Sequence, residues 1–99
     1  MLYRLLVIHS SDEALVGRNI ALDPATPRIT FGRDPSSTVA IQSVRMSRHH
    51  ARIEWDGAHW RVVDDASTSG TFVNGLRVQN QELRAGDTIQ IGCTHLRVG

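Results

Sequence analysis

Hydrophobic and polar residues alternate through most of this chain. In "ARIEW", Ala51, Ile53 and Trp55 fall on one face, and Arg52 and Glu54 on the other. A period of two marks a half-buried β-strand. "HWRVVD" repeats the pattern after the short connection "DGA", which predicts a hairpin with Asp56-Gly57 at its tip. "TFVNGLRV" predicts a second hairpin turning at Asn74-Gly75. "DTIQIG" sets Ile89 and Ile91 against Thr88 and Gln90, and "THLRVG" sets Leu96 and Val98 against His95 and Arg97. Upstream, "LYRLLVI", "RNIAL", "RITFG" and "TVAIQ" are β-rich runs separated by turn chemistry such as Asp23-Pro24 and Asp34-Pro35. The tally is about ten short strands at the turn spacing of a sandwich or barrel, and no stretch sustains a helical period. The expected fold is therefore all-β, a single antiparallel sandwich with its loops gathered at the two ends. Tyr3, Phe31 and Phe72 read as core. Trp55 and Trp60, either side of the Asp56-Gly57 turn, read as a cross-strand or core pair.

The length of 99 residues suits one domain spanning residues 1–99. A hydrophobic share of 40% is enough for a core, although so small a domain buries a modest fraction of its surface. The formal net charge of +1 excludes a bulk polyanion binder, so any anion site must be a local patch. All 11 basic residues are arginines, so such a patch would be made of planar, bidentate guanidinium groups. A lone cysteine, Cys93, rules out an internal disulfide and a four-cysteine zinc site, and its plain reading is a buried small hydrophobe. The opening "MLYRLLVIHSSDEALVG" has an apolar stretch broken by Arg4 and predicts neither a secretory signal nor a membrane span. A cytoplasmic location is expected.

Three connections carry most of the hydrogen-bonding groups: "FGRDPSST" from Phe31, "RMSRHH" from Arg45 and "DDASTSGT" from Asp64. Loops at one end of a sandwich can converge although far apart in sequence. Together they offer Arg33, Ser47, Arg48, Ser67, Thr68 and Ser69, a set of cationic forks and short hydroxyls that suits a tetrahedral dianion. Gly32 and Gly70 allow backbone geometry that larger residues resist. Ordinary solvated turns remain the competing reading of the same residues. A metal site is disfavoured, because adjacent His49 and His50 would point to opposite faces and no ligand spacing surrounds them. A Ser47–His50 nucleophile pair would need an orienting carboxylate, for which Asp64 and Asp65 are nominal candidates, and an oxyanion hole. His49 and Arg52 read as solvated positions. The aromatic share of 5%, with no basic stripe beside the tryptophans, argues against a nucleic-acid platform.

The order "GR" at Gly32-Arg33, "SRHHA" at Ser47 to Ala51, "STSGTFVNG" at Ser67 to Gly75 and "GDTIQIG" at Gly86 to Gly92 resembles the forkhead-associated (FHA) domain family. The resemblance covers about residues 29–99. It implies a twisted antiparallel β-sandwich of about eleven short strands that recognises phosphothreonine-containing proteins or peptides in kinase signalling. It implies no catalysis and no cofactor, metal, nucleic acid or membrane, and it is compatible with a place in a larger multidomain protein. By position, Arg33, Ser47, Arg48 and Thr68 would contact the phosphate. Gly32, His50, Gly70, Asn74 and Gly75 would support the site, with His50 bonding across loops. Ser69 stands where the family usually has an asparagine that contacts the peptide main chain; with one hydroxyl in place of an amide, weaker or altered peptide selectivity is expected. The alternative is a phosphorylation-independent interaction or oligomerisation domain on the same fold, using a sheet face or an exposed edge.

Overall fold

Eleven strands and one 3₁₀ turn build two sheets in the computed structural model, which describes residues 3–99. The strands are β1 (Tyr3–His9), β2 (Asn19–Leu22), β3 (Arg28–Gly32), β4 (Val39–Ala40), β5 (Ala51–Trp55), β6 (Trp60–Asp64), β7 (Thr71–Val73), β8 (Leu76–Arg77), β9 (Asn80–Glu82), β10 (Thr88–Ile91) and β11 (Thr94–Val98). One sheet runs β2-β1-β11-β10-β7-β8 and the other β4-β3-β5-β6-β9. The alternation dictates which faces meet. Ala51 and Ile53 from β5, Trp60 and Val62 from β6, Ile89 and Ile91 from β10, and Leu96 and Val98 from β11 are all buried between the sheets. Each such aliphatic side chain contributes about 1.5–3 kcal/mol relative to exposure.

Both expected hairpins form. Trp55 pairs with Trp60 across the β5–β6 connection, with rings 5.5 Å apart. Asp56 closes that turn by accepting the Ala58 and His59 N–H groups at 2.8 and 2.7 Å. At the β7–β8 connection Asn74 and Gly75 both have positive φ, 51° and 85°, as a two-residue type I′ turn requires.

Five details depart from the sequence reading. The β3–β4 pair is parallel, because the chain doubles back through residues 33–38 and returns alongside the strand it left. Only Val39 and Ala40 of "TVAIQ" join the sheet, and the polar run "NQE" forms β9, an edge strand that needs no alternation because it covers no core. Tyr3 and Trp55 are half-buried at the rim of the core and Phe72 is half-buried on the opposite row of β7 from Thr71 and Val73, whereas Phe31 lies inside the core. Arg52 is no solvated position: it pairs with Glu54 at 3.0 Å and with Asp65, bracing β5 against the connection after β6. Cys93 is likewise only half-buried, and its thiol accepts a hydrogen bond from the Ser11 hydroxyl at 2.9 Å. Among the described residues no helix is long and apolar enough to cross a membrane.

Candidate functional site at the loop end of the sandwich

The three polar connections, residues 33–38, 41–50 and 65–70, follow β3, β4 and β6 of one sheet and meet at one end of it. Backbone contacts register them. Residue 32 has to be glycine, since a Cβ there would sit 2.0 Å from the Arg48 carbonyl oxygen. That close approach lets the Arg33 N–H donate to the Ser47 carbonyl at 3.0 Å and the Asp34 N–H to the Arg48 carbonyl at 3.1 Å. The His50 N–H donates to Phe31 and the Asp65 N–H to His50, both at 2.9 Å, which locks the second connection to the first and third.

Ser47 stands at the centre. Its hydroxyl oxygen accepts the Thr68 N–H at 3.1 Å, so the hydroxyl proton remains free to donate elsewhere. Arg33, Arg48 and Thr68 are exposed around it, and no protein carboxylate pairs with either guanidinium among the described residues. Three connections thus carry Arg33, Ser47, Arg48 and Thr68 to one end of the sandwich, and neither arginine forms an ion pair with a carboxylate among the described residues.

Beneath them His50 is fully buried and spans two connections. Its Nδ1 accepts the Ser47 N–H at 3.2 Å and its Nε2 meets the Gly70 carbonyl at 2.8 Å, which fixes the proton on Nε2. The third connection is braced by Asp64, the last inward position of β6. Its carboxylate accepts the hydroxyls of Ser67 and Thr71 and the Ser67 N–H. Ser67 in turn accepts the Gly70 N–H at 3.0 Å. Asp64 is therefore a loop anchor, and Asp65 is spent on Arg52, so neither orients His50. Ser67→Ala is expected to cost about 1–2 kcal/mol in chemical denaturation, because the Gly70 N–H loses its partner and the carboxylate a charge-assisted bond.

Ser69 is exposed and donates its hydroxyl to the Arg45 carbonyl at 2.9 Å, which ties the second and third connections a further time. The Asn74-Gly75 turn lies at the far end of β7 from these loops. Asn74 bonds Asp87 and the Thr88 N–H, each at 3.0 Å, and touches none of the loop hydroxyls. Asp34, beside Arg33, carries a carboxyl held below the ordinary range by hydrogen bonds from the Ser36 hydroxyl and N–H, with smaller help from His49 and Arg48. The sequence reading missed the Asp64 bracing and also Arg77, whose guanidinium lies over Gly70. The signal for the first was available: a short polar residue on the inward row of a strand must find donors.

A two-sheet β-sandwich whose polar loops converge on one serine is the class that fold and geometry define. The family model described as FHA domain matches residues 29–92. The chain belongs to the FHA domain family. It is 38% identical over 88 residues to the glycogen accumulation regulator GarA of Mycolicibacterium smegmatis, covering 89% of this chain and 53% of that protein. It is 39% identical over 88 residues to the oxoglutarate dehydrogenase inhibitor of Corynebacterium efficiens, covering 89% and 59% respectively. The chain thus spans little more than half the length of the curated relatives it matches. A solved structure from a study of phosphothreonine-dependent FHA domain interactions superposes with a TM-score of 0.82 at 30% identity, covering 99% of this chain and 95% of that one.

Proposed function

We propose that residues 1–99 form one phosphothreonine-dependent recognition module acting in kinase signalling in the cytoplasm. The observation that carries this reading is Ser47, which accepts the Thr68 N–H and keeps its own proton to give, with Arg48 next to it in the chain and Arg33 tied to its carbonyl through the backbone. Arg33 and Arg48 capture the phosphate by charge-assisted bonds, and the hydroxyls of Ser47 and Thr68 complete its shell. The reading assigns no catalytic step. Both ring nitrogens of His50 are occupied by backbone groups, which leaves Ser47 without a base. The named relatives are a regulator and an inhibitor, which fits a module that binds and does not transform.

The test is titration of the chain with phosphothreonine, phosphoserine and unphosphorylated versions of one peptide library. Equal binding of all three sinks the reading. Affinity for the phosphothreonine form is expected to fall as pH drops from about 7.5 to 5, as the phosphate takes up its second proton near pH 6. Asp34 does not produce that change. Its folded-state pKa is depressed below 3.8, so whatever the charged form contributes is present above that value and lost only as pH falls below it.

A further inference from the structure

Arg77 has no role in the site as described so far, yet its placement is specific. It sits on the two-residue edge strand β8, opposite Phe72 of β7, and is exposed. Its side chain reaches toward the third connection. A Cβ on Gly70 would lie 2.9 Å from the Arg77 Nε and 3.1 Å from its Cζ. Gly70, with φ of +89°, both makes the bend and leaves the room. The strand that carries the arginine is held by the Asn74-Gly75 turn, which Asn74 pins to Asp87 and Thr88. The scaffold therefore aims this guanidinium, and among the described residues no carboxylate holds it.

What marks Arg77 is its place over Gly70, since only some of the arginines have a carboxylate partner. Arg52, Arg61 and Arg84 each lie within 3.7 Å of a carboxylate. Near Gly70 the carboxylates are already committed, Asp64 to Ser67 and Thr71, and Asp65 to Arg52. Among the described residues none pairs with Arg77. Gly70 lies two positions after Thr68, at most about 7 Å of extended chain. A peptide anchored at Ser47 and Thr68 that leaves across Gly70 passes this cation within a few residues.

We propose that Arg77 is a specificity-determining residue that pairs with an acidic side chain near the phosphothreonine of the bound peptide. The inference rests on the phosphothreonine reading above. Arg77 adds nothing to phosphate capture itself, and it raises the affinity only of peptides that place a carboxylate over Gly70. Guanidinium suits this task because its planar fork matches a carboxylate and stays charged at every working pH.

The experiment uses one phosphothreonine peptide in which each flanking position in turn carries Glu or Gln. For the wild-type chain, Glu is expected to bind roughly three- to tenfold tighter than Gln at one or two adjacent positions, the range of a partly exposed ion pair. Arg77→Gln should erase that gain and leave the affinity of the Gln peptides unchanged. Arg77→Glu should invert it in favour of Lys. The gain should also shrink as salt rises. Phosphate-dependent binding with the Glu preference intact in Arg77→Gln overturns the proposal alone. So does an equal loss for every peptide, which would make the arginine a cover for Gly70 and nothing more. Wild-type binding that ignores the phosphate overturns the underlying reading, and this proposal with it.

Discussion

Arg33→Ala is expected to abolish phosphate-dependent peptide binding while the protein stays folded. The two halves of that outcome come from different parts of one residue. The side chain is exposed and unpaired among the described residues, so its removal opens no cavity and orphans no partner. The structural contribution of the position is its backbone N–H, which donates to the Ser47 carbonyl at 3.0 Å and which alanine retains. Bound phosphate, by contrast, loses a fork that can donate two charge-assisted bonds, each worth about 1.5–3 kcal/mol. Losing about 3 kcal/mol corresponds to roughly a hundredfold in affinity. Arg48 remains, so residual attraction to any anion persists, but without the geometry to distinguish a phosphorylated from an unphosphorylated threonine peptide. Calorimetric titration against the paired peptides checks the loss, and a thermal midpoint within a few degrees of wild type checks the fold. Phosphate discrimination left intact would remove Arg33 from the site.

The contrast between Arg33 and Arg52 shows what a sequence of this kind makes legible. Both are arginines beside polar residues, and nothing local separates them. Arg33 is singled out by order: a glycine before it, a serine-arginine pair downstream, a serine-threonine pair further on. Order of that sort encodes loops that must meet, and the structure joins them by backbone bonds at Gly32, Ser47 and Thr68. Arg52 is fixed by a partner thirteen positions away, Asp65, whose approach depends on the pairing of β5 with β6 and on the bend after Asp64. Period-two alternation located the strands because burial on one face enforces it. It overran β4, where only Val39 and Ala40 pair, and it missed β9; both lie at sheet edges and carry little core. It also missed the parallel β3–β4 pair, since side-chain alternation is the same in both strand directions. Arg77 was invisible for a similar reason. Its meaning lies in covering Gly70 across a hairpin, and a glycine in a Ser-Thr-Ser-Gly-Thr run reads from sequence only as a flexible turn.

His50→Ala is expected to produce the largest loss of stability of any single change at the site. The imidazole is fully buried and bonds backbone groups of both the second and the third connection. Removing it leaves the part-buried Ser47 N–H and the buried Gly70 carbonyl without partners, at about 1–3 kcal/mol for each group that water cannot reach. The void adds to this, because Gly92 and Met46 press close around the ring and cannot collapse freely. A Cβ on Gly92 would already be 3.2 Å from the Met46 side chain and 3.4 Å from the imidazole Cε1. The sum is about 3 kcal/mol or more, a large share of the margin of a small domain. For a chain of this size it should lower the melting temperature by roughly 10–20 °C. Binding should weaken as well, even at temperatures where the variant is folded. Ser47 and Thr68 are placed by the connections that His50 joins, and a site misplaced by about an ångström loses much of its affinity for a tetrahedral anion. The pairing of effects separates this residue from Arg33: one variant melts early and binds poorly, the other melts normally and does not bind. A His50→Ala protein that melts with the wild type would show that the loops hold their positions without the bridge, and that the backbone bonds around Gly32 alone build the site.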